Sequence, residues 1–371
     1  MNLASIIEQH PSNAPALISR GRTTDYGTLR DQVAHLRGGL LGLGIEPGDR
    51  VAILCANNWY FVVNYLAVLG VGAVAVPLNP LSPPKELERE LVSVGARAMV
   101  VGAAGRDAAR GLDPEQLPVL EFVIHGKGGE VEGSVALDDL LAAEPAPIVD
   151  RDGEDLAVLI FTSGTAGFPK AAMLSHGNLL ANIDQVLKLR GDGTGDPADV
   201  AFGVLPMFHI FGLNVVLGAT LAAGASVLLV ERFDPVSAIE AIAKHEVNVL
   251  AGAPTMWAAW ASMYSLDSES FASVKIASSG AAPLDTGVSR ILKDRFGLEV
   301  GEGYGLTEAS PVVTAAIGLP YRPGSVGAAL DGVELRLVDL DGEDALVGDP
   351  GEIWVRGPNV FQGYWNDAEA T

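Results

Sequence analysis

Short β-branched runs alternate with helical periods over most of this chain, first from Arg50 to Ile124 and again from Leu156 to Val300. No other feature constrains the fold as much, because strand–helix–strand order implies parallel pairing through right-handed crossovers. In the first set, strands are expected at Val51–Cys55, Ala73–Val76, Ala98–Val101 and Glu121–Ile124, and helices at Asp31–Leu43, Trp59–Val71, Pro84–Val94 and Arg106–Gly111. In the second, strands are expected at Ala157–Phe161, Val200–Leu205, Ser226–Val230, Val247–Ala251, Lys275–Ala277 and Glu299–Val300. Helices are expected there at Gly177–Leu189, Phe211–Ala222, Pro235–His245, Pro254–Met263 and Asp285–Phe296. Leu69-Gly70-Val71-Gly72-Ala73-Val74 and Leu221-Ala222-Ala223-Gly224-Ala225-Ser226 both read as helix end, glycine stop and strand start. Two similar α/β halves and two ordinary βαβ units are both open at this level.

Two stretches, Val51 to Pro84 and Val200 to Val230, carry no Asp, Glu, Lys or Arg. A membrane span of about 20 apolar residues has to be weighed. Asn57, Asn58, Asn64, internal glycines, Pro77 and Pro80 interrupt the first stretch, which reads better as a strand, a helix and a strand. Parallel strands are covered on both faces, and that accounts for the apolar run. Peripheral contact with a membrane stays open. The start, Met1-Asn2-Leu3-Ala4-Ser5, has neither a basic region nor an apolar one of the secretory kind.

At 371 residues, 49% of them hydrophobic and 19% charged, the chain can build a large core across two or three domains. Its one cysteine, Cys55, excludes an internal disulfide framework and a cysteine zinc site, and fits a reducing, cytoplasmic setting. With 24 basic and 46 acidic residues the net charge is −22, which repels DNA and RNA. Screening ends that repulsion within ~8–10 Å, so an anionic ligand can still bind where donors are concentrated. After Thr314 the texture changes. Val326 to Val355 has short alternating runs and turn signals at Asp331-Gly332, Asp341-Gly342 and Asp349-Pro350-Gly351, which read as a small antiparallel element. Asp339, Asp341, Glu343 and Asp344 lack the alternating spacing of a calcium loop and read as hairpin turns.

Three motifs carry chemistry. Thr162-Ser163-Gly164-Thr165-Ala166-Gly167-Phe168-Pro169-Lys170 places three hydroxyls, two glycines and one lysine within nine residues, directly after an apolar strand. Backbone N–H groups turned to one point form an anion nest, and an ammonium adds a charge-assisted contact. A phosphate fits it. The spacing is not that of the ordinary phosphate-binding loop, and a plain strand–turn–strand is the other reading. Glu302-Gly303-Tyr304-Gly305-Leu306-Thr307-Glu308 follows a strand and offers an aromatic face for a base, a hydroxyl for a phosphate oxygen and a carboxylate for Mg²⁺. Ser278-Ser279-Gly280-Ala281-Ala282-Pro283 also follows a strand and is small enough for a flat ring to approach. In Leu205-Pro206-Met207-Phe208-His209-Ile210-Phe211-Gly212-Leu213 one histidine sits among apolar residues, either as a satisfied core histidine or beside a ligand. A Gly-x-Ser-x-Gly elbow, a His-Glu-x-x-His pair and an intact dinucleotide fingerprint are all missing from the sequence.

Taken in order with Val74-Ala75-Val76-Pro77-Leu78-Asn79-Pro80, Gly351-Glu352-Ile353-Trp354-Val355-Arg356-Gly357 and Gly363-Tyr364-Trp365, these segments resemble the adenylate-forming superfamily of acyl-CoA synthetases, luciferases and adenylation domains. The resemblance implies two similar α/β subdomains with mainly parallel sheets, at 1–150 and 151–320, plus a small antiparallel β-barrel subdomain at 321–371. It implies conversion of a carboxylate and ATP to acyl-adenylate and pyrophosphate, with transfer to a thiol. By resemblance, Thr162, Ser163, Gly164, Thr165 and Lys170 would hold the β,γ-phosphates. Gly280, Ala281, Ala282 and Tyr304, within the nucleotide-side stretch Glu302, Gly303 and Gly305, would frame the adenine. Thr307 would touch the α-phosphate and Glu308 would hold Mg²⁺. His209, Phe211, Gly212, Gly280 and Gly303 would border the acid. Lys170, His209, Thr307 and Glu308 carry the chemistry in this reading. Ala166 stands where the family usually has Thr, and Ala171 where it often has Gly.

The small residues after Phe211, and the lack of a cation near His209, point to a medium- or long-chain fatty acid, with CoA as acceptor. An adenylation domain that loads a carrier protein and a non-catalytic acyl- or nucleotide-binding protein are the alternatives. The family continues with a mobile C-terminal domain bearing a catalytic lysine, expected past Thr371, so slow turnover is expected of these residues alone.

Overall fold

The structure is a computed structural model and describes residues 1–162, 169–189 and 195–371, to which all counts below refer. Its frame is two large sheets. The first has seven strands in the order Val135–Ala136, Phe122–His125, Ala98–Val101, Arg50–Leu54, Val74–Pro77, Leu156–Thr162 and Lys170–Ser175. All neighbours are parallel except the last pair, an antiparallel hairpin that joins Thr162 to Lys170. The second has nine strands: Ala328–Ala329, Val312–Ala315, Val300–Gly305, Ile276–Ser279, Val249–Gly252, Val200–Gly203, Ser226–Leu229, Pro15–Ser19 and Arg22–Asp25. Its centre is parallel and its edges are antiparallel.

The charge-free stretch around residue 60 is now explained. Helix Trp59–Gly70 is buried from Phe61 to Gly70. It shares one apolar cluster with Ile53 and Ala75 of the seven-stranded sheet and with Leu17 and Val227 of the nine-stranded sheet. A helix enclosed between two sheets has no solvent face on which to carry charge. Among the described residues no helix is long and apolar enough to cross a membrane.

The sheets depart from the sequence expectations in three places. Leu156–Thr162 was expected to open the second α/β set, yet it pairs with Val74–Pro77 in the first sheet. Pro15–Ser19, for which no strand was expected, lies beside Ser226–Leu229 in the second. The sheet boundary therefore does not fall at residue 150. Sequence order cannot show such long-range exchange, because pairing is chosen by which faces can be buried together. Third, the terminal β element is antiparallel as expected but divided. Glu334–Val338 and Glu352–Arg356 form a two-stranded antiparallel ribbon, while Val312–Ala315 and Ala328–Ala329 extend the nine-stranded sheet. The Asp339 carboxylate accepts from the N–H groups of Asp341 and Glu343, as a hairpin turn requires.

The last segment returns to the seven-stranded sheet. Along the free edge of Lys170–Ser175, Met173 N–H donates to Gly363 O at 2.9 Å, Gln362 N–H to Met173 O at 3.0 Å and Trp365 N–H to Ala171 O at 2.8 Å. An edge strand's unpaired groups are thereby covered, and Tyr364 is set beside the strand that begins at Lys170.

Candidate active site

At the carboxyl ends of Ile276–Ser279 and Val300–Gly305 lies a cleft of about 700 Å³, open to solvent. Parallel sheets put ligands at such ends, where the loops diverge. Phe211 and Val215 form one wall, Ser278 to Ala281 the floor, and Gly301 to Thr307 the facing wall. Val186 and Ile317 stand at the inner end. The Phe211 wall is a π-helix, Phe211–Gly218, continued by α-helix Ala219–Ala222, where the sequence suggested one regular helix. Such wide turns are frequent at functional sites. Gly212 lies behind this wall, not in it. A Cβ there would sit 2.3 Å from the Pro206 carbonyl oxygen, so only glycine lets the π-helix lie against the preceding loop. A Cβ at Gly280 would meet Phe211 Cε1 at 3.0 Å, which is why the floor can approach the aromatic wall.

Buried amides hold the loops in place. Asn57, on the seven-stranded side, donates to the carbonyls of Gly203 and Leu205 at 3.0 and 2.7 Å and accepts from Met207 N–H. It ties the His209 loop to the first sheet. His209 faces the cleft and keeps solvent contact, yet the surrounding walls remove enough water to push its pKa below the usual imidazole value. Its ring is therefore neutral at pH 7 and leaves a neighbouring carboxylate its full charge. Helix His176–Lys188 carries Asn178, Asn182 and Gln185 along one face, the helical spacing of neighbours. They bond the carbonyls of Pro358 and Val360, of Val312 and of Asp331, respectively. Asn214 of the π-helix donates to Ser310 O at 2.7 Å. One helix and one wall thus hold the segment that follows Glu308.

Glu302 lines the cleft, but both of its oxygens are used within the protein: Oε2 accepts from Leu284 N–H at 3.1 Å and Oε1 from Gly324 N–H at 2.8 Å. It fixes the Ala281–Leu284 loop rather than presenting a free charge. Ser279 Oγ, also on the cleft, is buried without a hydrogen-bond partner.

At the hairpin, Thr162 Oγ1 donates to Lys170 O at 3.4 Å. Ser163, Gly164 and Thr165 lie outside the described residues. Lys170 Nζ is 3.3 Å from Asp367 Oδ2 and 5.3 Å from the centre of the Tyr364 ring. The Tyr364 hydroxyl donates to Glu308 Oε1 at 2.6 Å. Desolvation, reinforced by that carboxylate, pushes the phenol's pKa up to about 12. The Asp367 carboxyl is held below its usual range, first by the Ala370 N–H and then by Lys170. Glu308 Oε2 has no partner among the described residues. One free carboxylate oxygen suits a hard divalent cation, which commonly takes one or two carboxylates and completes its shell with phosphates and water. Among the described residues no cluster of three or more candidate metal ligands occurs.

Of the residues singled out in the sequence, His209, Phe211, Gly280, Ala281, Glu302, Gly303, Tyr304, Gly305 and Thr307 come together on the cleft. Gly212 and Ala282 do not line it; Ala282 is exposed beside it. Lys170 and Glu308 stand off the cleft and are joined through Tyr364. Sequence reasoning missed Tyr364 and Asp367 as site residues, and also Val186, Val215 and Ile317. The Gly363-Tyr364-Trp365 motif was the only available pointer to the first.

The chain belongs to the AMP-binding enzyme family, which it matches over residues 3–365. It is 33% identical to 4-coumarate–CoA ligase 3 of Arabidopsis thaliana, over 97% of this chain and 66% of that one. It is 34% identical to a feruloyl-CoA synthase of Amycolatopsis, over 97% of this chain and 70% of that one. The chain thus spans 66% of the length of the first of these curated relatives. Among solved structures, ATP-bound MatB from Rhodopseudomonas palustris superposes with a TM-score of 0.88 at 31% identity, covering 100% of this chain and 73% of that one. A long-chain-fatty-acid–CoA ligase from Archaeoglobus fulgidus gives 0.87 at 25%, covering 100% and 77%.

Proposed function

We propose that this protein activates a medium- or long-chain fatty acid with ATP and passes the acyl group to CoA. The depth of the cleft carries the choice of acid. A second, smaller pocket, lined by Ala201, Ala219, Val249 and Ala251, shares Val186, Val215, Ser278 and Ile317 with the first. These shared residues form a neck between the two, and an extended acid would run through it from the first into the second. Among the described residues no lysine or arginine lines either cavity.

In the first half-reaction a carboxylate oxygen bonds to the α-phosphorus of ATP as the bond to pyrophosphate breaks. In the second, the thiolate of CoA attacks the acyl carbon and AMP leaves. His209, neutral and facing the cleft, donates a hydrogen bond that orients the carboxylate without neutralising it. Thr307 donates to the α-phosphoryl oxygens, and Lys170 balances the charge of the departing pyrophosphate. The stabilisation is mostly electrostatic, as in other phosphoryl chemistry with little covalent help from the protein. Glu308 would hold a magnesium ion, which when bound adds positive charge to the phosphates.

The relatives named for 4-coumarate and ferulate favour a second reading, an arylpropenoic acid seated in the first chamber. A carrier protein remains the rival acceptor. The test is acid-dependent ATP–pyrophosphate exchange with hexanoate, decanoate, palmitate, 4-coumarate and ferulate, followed by transfer to CoA or carrier protein. Highest kcat/KM with decanoate or palmitate and transfer to CoA are expected. Preference for 4-coumarate would replace the fatty acid reading, and no exchange with any acid would overturn the activity.

A further inference from the structure

We propose that Tyr364 is a positioning residue that couples the two phosphate-side groups, fixing the Glu308 carboxylate for a divalent cation and shelving the Lys170 ammonium on its ring. The inference rests on the nucleotide-site reading and extends it to a residue outside the cleft. Three observations converge on it.

The first is the hydrogen bond. The Tyr364 hydroxyl donates to Glu308 Oε1 at 2.6 Å. That bond takes one carboxylate oxygen and one rotational freedom, and leaves Oε2 as the open ligand. Ligating carboxylates are generally oriented by such outer partners. The second is the ring. Lys170 Nζ stands 5.3 Å from its centre, within the range of an ammonium–aromatic attraction. One side chain therefore touches both groups, although Lys170 opens a strand of the seven-stranded sheet and Glu308 sits in the 3-10 turn Thr307–Ala309 after a strand of the nine-stranded one.

The third is how firmly Tyr364 is held. Its backbone bridges Ala172, and its N–H donates to Thr371 Oγ1 at 2.8 Å. Phe361 N–H donates to Glu308 O at 2.8 Å, and the Phe361 ring meets the Tyr364 ring edge-on at 5.0 Å. Asn359 completes the brace, donating to Ala309 O while its own carbonyl accepts from Ser310 Oγ. Segment 359–367 thus spans from the Glu308 turn to the Lys170 strand, with Tyr364 at the point where both meet.

The test is calorimetric titration of the 371-residue chain with ATP in excess Mg²⁺ and with ATP in EDTA, without acid, so that binding is read and not turnover. Tyr364→Phe keeps the ring and removes only the hydroxyl. It is expected to raise the Kd for ATP about 10-fold in Mg²⁺ and to leave the Kd in EDTA unchanged. Tyr364→Leu, which also removes the ring, weakens binding under both conditions. In a Glu308→Gln background, where the Mg²⁺ advantage is already lost, Tyr364→Phe adds no further change. Equal Kd values for Tyr364→Phe and the parent in Mg²⁺ would overturn the assignment. So would an equal rise in Mg²⁺ and in EDTA, which marks a merely structural role. If the parent chain binds no ATP in either condition, the nucleotide-site reading falls and takes this one with it; binding by the parent keeps the two failures apart.

Discussion

Lowering the pH below 6.5 should cost this protein stability through one buried histidine. His176 is the first residue of helix His176–Lys188 and is fully buried. Its Nδ1 accepts the Leu3 N–H at 3.0 Å, so the neutral ring carries its proton on Nε2, which is buried without a partner. Burial, with Arg151 and the chain's amino terminus repelling a second proton and Asp155 partly offsetting them, pushes the pKa down from 6.5 to about 4. A depressed imidazole pKa means that the unfolded chain binds more protons. The contribution is fully present above pH 6.5 and is lost as pH falls toward 4. With these two values the loss between pH 7.5 and pH 5 is about 2 kcal/mol, rising to ~3 kcal/mol below pH 4. Other groups titrate in the same window, so the measurement is a difference. Urea unfolding of the parent and of His176→Asn, whose Oδ1 can still accept from Leu3, would be followed at pH 7.5, 6 and 5. The variant should be less stable than the parent at pH 7.5 and lose about 2 kcal/mol less on acidification. Parallel pH curves for the two proteins would refute the reasoning.

Removing the ammonium in Lys170→Ala takes away a charge-assisted bond worth ~1.5–3 kcal/mol, so the Kd for ATP should rise about 10- to 100-fold by calorimetry. Glu90 has a buried, unpartnered Oε2, and burial next to Glu86 raises its pKa to about 7. A raised carboxyl pKa removes stability as pH climbs from 4.5 to 7, so Glu90→Gln should be more stable than the parent at pH 8, by up to ~3 kcal/mol in urea unfolding. Val215→Phe fills the neck between the two cavities; decanoate should then lose at least about tenfold in kcat/KM while hexanoate loses little.

Strand and helix positions were legible wherever a segment's own chemistry decides them. Ala98–Val101 and Pro84–Val94 agree with expectation to the residue: the first is a short apolar run ending in two valines, the second starts at a proline and ends at Gly95 in the left-handed region. Pro15–Ser19 was not legible, because its run is short and its parallel partner Ser226–Leu229 lies far along the chain. The cleft was readable because its residues cluster in three motifs, each directly after a strand. Tyr364 was not, since its value lies in a hydroxyl contact with a residue 56 positions away, which no local spacing encodes. The π-helix at Phe211–Gly218 was equally hidden. It depends on Gly212 meeting a carbonyl from the preceding loop, and a periodicity argument sees only an apolar helix.

The exchange of strands between the sheets makes the two halves of this protein inseparable. A protease cut between residues 150 and 151 would leave the C-terminal fragment without Pro15–Ser19 and Arg22–Asp25 to finish its nine strands, and the N-terminal fragment without the hairpin that finishes its seven. Nor can the larger sheet close during synthesis before Ser226–Leu229 has left the ribosome. Until then the amino-terminal strand waits with its apolar residues unprotected, and that interval is when the nascent chain most needs a chaperone.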